Sequence, residues 1–321
     1  MTTLILGTLI TISSSSWLGM WMGLEVNLLS FIPLIGKVKN MKESEAAMKY
    51  FITQALASAI FLLSIILLTT FPSMKSPELI LSSSMLLKAG VAPFHFWFPE
   101  VIEGLTWTSC GILLTWQKIA PMVIILYTKN FLILIISIIF SMIVSGVMGI
   151  NQTSIRKILA YSSINHMGWM MGALLMSPQL WMIYLIMYSI VTLNMITLLN
   201  SMNLFTLSQL FYQMSDTPIL KLTFLLNFLS MGGLPPFVGF YPKWMVINNL
   251  NMSNYWLISL LMVILTLMTL YFYLRVTFTG FTLFLSNQKN LNQKEYPPSI
   301  LFFNILNLSG LLILPPLLNL M

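Results

Sequence analysis

The sequence predicts an all-α polytopic membrane protein of about eleven transmembrane helices, built as two inverted five-helix repeats with discontinuous helices. Three observations carry that prediction. Only 7% of the 321 residues are charged and 58% are hydrophobic, whereas a soluble domain carries roughly 25% charged residues. Apolar runs long enough to cross a bilayer, roughly 20 residues each, recur along the whole chain. A motif rich in glycine and proline occurs twice, in two different spans.

A chain so poor in charge cannot cover a globule with polar surface, so lipid is the solvent that suits it. The mean hydropathy of +0.89 agrees. A membrane β-barrel would show alternating segments of about 10 residues, and the sequence has none. The net charge of +7 is scattered over loops and is not gathered into a stripe, so it reads as membrane topology and not as a nucleic-acid surface. Cys110 is the single cysteine. One thiolate allows no disulfide within the chain and holds no iron–sulfur cluster. No cleavable leader is expected ahead of the first span.

The predicted spans follow in order: Thr3–Ser13, Trp17–Ile35, Ala46–Thr70, Pro77–Phe98, Leu105–Tyr127, Phe131–Ile150, Ile158–Met176, Pro178–Met202, Pro218–Ile247, Tyr255–Phe284 and Ser299–Leu318. The first is too short to cross unless it tilts or the bilayer thins. Most connections are short, which makes consecutive helices antiparallel neighbours. Orientation comes from loop lysine and arginine. The loops on the side of the N-terminus carry Lys37, Lys39, Lys42, Arg156, Lys157, Lys289 and Lys294, against little beyond Lys75 and Lys129 opposite. The N-terminal side is therefore inside, and an odd number of spans puts Met321 outside.

The internal repeat aligns residues 89–99 with residues 232–242. Gly90, Pro93, Phe94 and Pro99 find identical partners in Gly233, Pro236, Phe237 and Pro242. The copies lie in the fourth and ninth spans, an odd number apart, so the second copy is upside down relative to the first. The repeats are expected over residues 1–130 and 131–285, with residues 286–321 forming a loop and the last helix. Proline inside a span removes a helix hydrogen bond and clashes with the preceding turn. Bare backbone at that depth survives only against protein or water. A single kink is commonplace in membrane helices, but a matched pair points to an ion pathway.

Several ionisable residues fall within spans: Glu25 in the second, Lys88 and His95 in the fourth, Lys118 in the fifth, His166 in the seventh and Lys243 after the break in the ninth. A charge at the bilayer centre costs about 2.5–3.5 kcal/mol even on the forgiving insertion scale. Such residues therefore face a bundle interior or a wet cavity. Lysine suits proton transfer because burial disfavours its charged form and a nearby carboxylate favours it. At about 8 Å and an effective dielectric of about 20, one such pair is worth roughly 2 kcal/mol. The plain alternative is a static salt bridge between Glu25 and Lys88, which leaves Lys118 and Lys243 unaccounted for. Lys243 could also snorkel to one membrane face. The two histidines fit either a structural or a relay role. Glu100, Glu103, Arg156, Lys157 and Lys221 read as interfacial anchors.

These residues also carry a family resemblance. The stretches 21–25, 45–51, 88–97, 115–121, 160–169, 232–236 and 242–244, in order over nearly the whole chain, resemble the antiporter-like membrane subunits of respiratory complex I in their animal mitochondrial subunit 2 form. The resemblance implies a core subunit of the NADH:ubiquinone oxidoreductase, multi-pass in the mitochondrial inner membrane. Its N-terminus would lie in the matrix and its C-terminus in the intermembrane space. The complex would export protons as electrons pass from NADH to ubiquinone. By the same resemblance Glu25 and Lys88 form a coupled pair, Lys118 links the two halves and Lys243 faces the exit or the next subunit. The partners implied are antiporter-like subunit 4, the small 4L-type subunit and lipids. No cofactor is expected on this chain: NADH, FMN, iron–sulfur clusters and ubiquinone would all lie elsewhere in the complex. In keeping with this, no Gly-x-Gly-x-x-Gly motif follows a strand. One departure stands out. Larger relatives carry a further lysine or histidine in the helix matching Trp181–Leu199, where this chain has Tyr184, Tyr188, Thr192 and Asn194.

Three other readings remain open on the residues alone. A free-standing cation/proton antiporter would exchange ions by itself. A haem-carrying electron-transfer subunit would use His95 and His166 as axial ligands. A structural spacer would have no reason to bury lysines.

Overall fold

A computed structural model describes residues 1–36, 40–71, 75–128, 130–214 and 218–282, with side chains for all of these except 211–221 and 280–282. The last predicted span, Ser299–Leu318, lies outside the described residues. The chain forms two compact units, Met1–Ser141 and Met142–Met321.

The first unit begins with α1 (Thr2–Ser13) and α2 (Trp17–Ile35), which pack along each other. Glycine makes that packing close. A Cβ on Gly7 would lie 3.0 Å from the Asn27 nitrogen, and one on Gly23 would lie 2.8 Å from the Thr11 nitrogen. Small residues of this kind let helix backbones approach where lipid offers no hydrophobic drive. Ser16 caps α2 by accepting the Gly19 amide at 3.2 Å. The long α3 (Met41–Thr70) follows, then α4 (Ser76–Ala89) and α5 (Trp97–Gly104), both packed on α3. α6 (Trp107–Leu114) and α7 (Ile119–Thr128) are separated by a 3-10 turn at Trp116–Lys118. α8 (Phe131–Gly149) runs on into the second unit.

In the second unit α9 (Ile155–Met176) is buried along most of its length. α10 (Pro178–Met202), α12 (Pro218–Gly232), α13 (Phe240–Met252) and α14 (Trp256–Thr282) complete the bundle, and the short α11 (Leu207–Met214) packs against α12 and α14. Gly146 and Gly149 let α8 sit against Met268 and Phe272 of α14. A small antiparallel bridge ties the start of α9 to the turn before α11, with the Ile155 amide donating to the Phe205 carbonyl at 3.0 Å and the Leu207 amide to that of Thr153 at 3.1 Å.

Among the described residues six helical stretches are long and apolar enough to cross a membrane, one of them the run from α6 through the 3-10 turn into α7. The predicted fourth, fifth and ninth spans are each interrupted, at residues 90–96, 115–118 and 233–239. Two pieces differ from the sequence expectation. α5 continues to Gly104, through residues read as a connection, because the second half of the broken span starts only at Trp97. α11 occupies what was read as a loop.

The outer faces of the long helices are apolar, and several ionisable and amide side chains are buried among an apolar core. Leu132, Ile136, Phe140 and Val147 of α8 face outward, as do Leu257, Leu260, Ile264 and Leu267 of α14. Lys88, Lys118, Lys243, His95, His166, Asn165 and Asn194 are buried. Apolar outside and ionisable inside is the arrangement that hydrocarbon solvent demands. Buried hydroxyls add little cost, since Ser84, Ser137, Ser141, Ser145, Ser162 and Ser163 each donate to a carbonyl one turn earlier in their own helix.

Candidate functional site

The two helix breaks share one local design. α4 ends with Gly90 at φ +69°, and α12 ends just before Gly233 at φ +74°. Left-handed backbone is where glycine has no Cβ penalty. In the first break the Val91 amide reaches the Leu86 carbonyl at 3.0 Å and the Gly90 amide that of Leu87 at 3.2 Å. In the second, Leu234 reaches Leu229 at 3.4 Å and Gly233 reaches Ser230 at 3.0 Å. Both are Schellman terminations, which satisfy carbonyls that a helix end leaves orphaned. The peptide Ala92–Pro93 in the first break is cis.

The remaining freed carbonyls are met differently in the two units. In the first, the Trp97 indole donates to the Leu87 carbonyl at 3.1 Å and the Gln54 amide to that of Lys88 at 3.3 Å. In the second, the Lys243 ammonium itself donates to the Gly232 carbonyl at 3.0 Å. A Cβ on Gly233 would lie 2.9 Å from the Lys243 Nζ, so glycine both makes the turn and leaves room for the lysine. The C-terminal end of α12 also carries partial negative charge, which favours a cation there.

In the first unit the structure brings Lys88 and Lys118 into one cavity. It offers about 20 Å³ to the centre of a water molecule, enough for one. Asn27, Tyr50, Gln54, Phe98 and Gln117 also line it. The Lys118 Nζ lies 5.6 Å from the centre of the Phe98 ring, within the range of a cation–π contact. That same ring fills the space beside Gly90, where a Cβ would be 2.9 Å from it. The break and Lys118 are thus joined through one aromatic side chain. Glu25 is half-buried on α2. Glu25 and Lys88 form no ion pair within 4.0 Å, so the static salt bridge weighed as the plain alternative is not formed. His95 sits in the break itself, buried, with its Nδ1 3.3 Å from the Pro93 carbonyl oxygen and its ring against Phe96. It does not line the Lys88–Lys118 cavity.

In the second unit His166 holds the Tyr184 hydroxyl at 2.9 Å through Nδ1 and packs beside Tyr188. These three side chains and Ser230, Gly239 and Pro242 line a smaller cavity of about 10 Å³. It therefore borders both ends of the second break. Lys243 lies next to Pro242 in the chain, 5.8 Å from the centre of the Trp169 ring.

Of the residues expected to be interfacial, Glu100 and Glu103 line one exposed cleft and Arg156 meets an aromatic ring. Lys49 bonds both Glu45 and Glu100 at 2.8 Å in an exposed cleft shared with Lys42 and Glu103. Arg156 stacks on Phe205 at 4.3 Å. The Lys221 side chain lies outside the described residues. Sequence reasoning missed Gln54, Trp97 and the amide pair of Asn27 and Gln117, along with the buried contact of Asn194 with Asn227 at 3.0 Å. The available signal was uncharged polarity within apolar runs: Asn27 stands two residues after Glu25, and Gln117 directly precedes Lys118.

Comparison with known proteins bears on this geometry. Residues 14–269 match the family described as NADH:quinone oxidoreductase/Mrp antiporter, TM. The chain is 49% identical to the NADH-ubiquinone oxidoreductase chain 2 of Anopheles gambiae, over 97% of this chain and 94% of that one. It is 40% identical to the protein of the same name from Lemur catta, over 98% and 95%. Among solved structures, a chain of respiratory complex I from Thermus thermophilus with bound aureothin superposes with a TM-score of 0.84 at 26% identity, covering 97% of this chain and 76% of that one. A chain of the Mrp complex from Dietzia sp. shares the fold, with a TM-score of 0.75 at 15% identity, over 93% and 62%. The chain therefore belongs to the NADH:quinone oxidoreductase/Mrp antiporter membrane family and, within it, to the NADH-ubiquinone oxidoreductase chain 2 group.

Proposed function

We propose that this chain is a proton-translocating core subunit of the membrane arm of NADH:ubiquinone oxidoreductase in the mitochondrial inner membrane. Glu25, Lys88 and Lys118 carry the relay in the first unit, and Lys243 carries it in the second. His95 and His166 serve beside the two breaks. The observation that carries this reading is the cavity with Lys88 and Lys118 in its wall at the end of a broken helix. Two lysines in the wall of one cavity give it two groups that can each take up and release a proton. Glu25 stands half-buried on α2 with no ion pair to Lys88. A shift of that carboxylate relative to Lys88 changes the lysine's hold on its proton. At Lys243 the carbonyl of Gly232 takes the place of a carboxylate.

The two breaks belong to inverted repeats in this reading, with the N-terminus in the matrix and the C-terminus in the intermembrane space. The neighbours are antiporter-like subunit 4 and the small 4L-type subunit. NADH, FMN, iron–sulfur clusters and ubiquinone act elsewhere in the complex, and this chain holds no redox centre.

The test is proton export per NADH oxidised, in vesicles containing the complex with Lys88→Met. The substitution keeps length and removes the titratable group. Export is expected to fall, or turnover to stall, in a complex that still assembles. Normal assembly, turnover and export would place Lys88 outside the proton path.

A further inference from the structure

Lys118 stands where the helical ladder fails. α6 stops at Leu114, the residues Trp116–Lys118 form a single 3-10 turn, and α7 begins at Ile119. Pro121 has no amide hydrogen to offer the Gln117 carbonyl, so on the α7 side the turn is held by the Ile119 amide on the Trp116 carbonyl and not by a bond to Gln117. The buried Lys118 takes its direction from this turn, so whatever sets the turn sets the lysine.

A side-chain pair does so. The Asn27 Nδ2 donates to the Gln117 Oε1 at 3.0 Å, and the Gln117 Nε2 donates back to the Asn27 Oδ1 at 3.1 Å. Two reciprocal bonds between planar amides fix orientation as well as distance. Asn27 is held firmly in its turn. It is 3% exposed on α2, on the segment where Gly7 and Gly23 bring α1 into backbone contact. Both amides line the cavity that contains Lys88 and Lys118. The helix bearing Asn27 also bears Glu25. The pair thus ties the carboxylate's helix to the lysine's turn.

We propose that Asn27 and Gln117 form a positioning clasp that holds the 3-10 turn in register and keeps the Lys118 ammonium in the cavity it shares with Lys88. This rests on the relay reading above. Neither amide exchanges a proton; both act through the placement of Lys118.

The test uses the assembled complex in vesicles and swaps the two amides. Asn27→Gln and Gln117→Asn each stay polar and nearly isosteric, yet each misaligns the reciprocal bonds. The double variant Asn27→Gln/Gln117→Asn restores the combined reach. Lys118→Met serves as the reference. Each single swap is expected to lower NADH-driven proton export by about three- to tenfold, the effect of losing a hydrogen bond of ordinary strength. The double swap is expected to recover most of the loss. Rescue by the reversed pair is not expected of residues that merely fill space. If both single swaps export like the unmodified complex while Lys118→Met does not, the clasp is overturned and the relay stands. If the single swaps fail and the double fails equally, pairing is not the cause and the clasp is again overturned. If Lys118→Met itself exports normally, the relay falls, and the clasp with it.

Discussion

At the scale of single residues, Lys243 and Gly233 form a unit. The lysine that reaches the Gly232 carbonyl lies in the space a side chain on residue 233 would occupy. Gly233→Ala would place a methyl group 2.9 Å from the ammonium and hold an L-residue at φ +74°. The backbone alone costs roughly 1–2 kcal/mol, and the lysine must also move. The expected outcome is a complex that melts at lower temperature and exports fewer protons per NADH, both read on the same preparation. A melting temperature and a proton ratio equal to those of the unmodified complex would show that Lys243 does not depend on the Gly232 carbonyl. The ionisable residues were legible as isolated charges in apolar runs. Their partners were not. Gln54, Trp97 and Asn27 are polar residues of kinds that occur in any membrane helix, and only the fold shows that each meets a freed carbonyl or a second amide.

At the scale of elements, proline and glycine decided where helices stop. The matched glycines and prolines of the fourth and ninth spans announced two breaks, and Gly90 and Gly233 form them with the same Schellman bonds. The interruption before Lys118 was harder to see. Pro121 falls in the first turn of α7, where a missing donor is tolerated, so its presence reads as a helix start only once the 3-10 turn is known. This gives a prediction. Pro121→Ala supplies an amide for the Gln117 carbonyl, lets α6 and α7 wind into one helix and re-aims Lys118. The complex is expected to assemble with stability within about 1 kcal/mol of normal and to export fewer protons per NADH. Unchanged export would mean that the turn is not needed to aim the lysine. α11 was missed for another reason: its segment combines Ser, Gln and Tyr with only a few apolar residues, and its helix packs on α12 and α14 without spanning.

At the scale of the whole molecule, charge depletion and long apolar runs foretold the solvent, and the structure agrees by burying Lys88, Lys118 and Lys243 while leaving many leucines and isoleucines of the long helices exposed. What composition could not foretell is how each unit handles its buried charge. In the first unit two lysines line one cavity, and Glu25 stands half-buried on α2 without an ion pair to Lys88. In the second a lysine leans on the end of a broken helix, and a histidine–tyrosine pair sits beside the same break. The two units therefore house their buried lysines differently, around a shared cavity in one and against a freed helix carbonyl in the other. That difference suits a machine in which protonation of one lysine changes the hold of the next.

Proton export per NADH oxidised, measured in vesicles on the complex carrying Lys118→Met, tests the central claim most directly. Methionine keeps the length and packing of the side chain under Phe98 and removes its proton site. The account predicts an assembled complex in which export per NADH falls or NADH oxidation stalls. Assembly, oxidation and export all at the unmodified level would contradict it, and Lys118 would then be a structural cation.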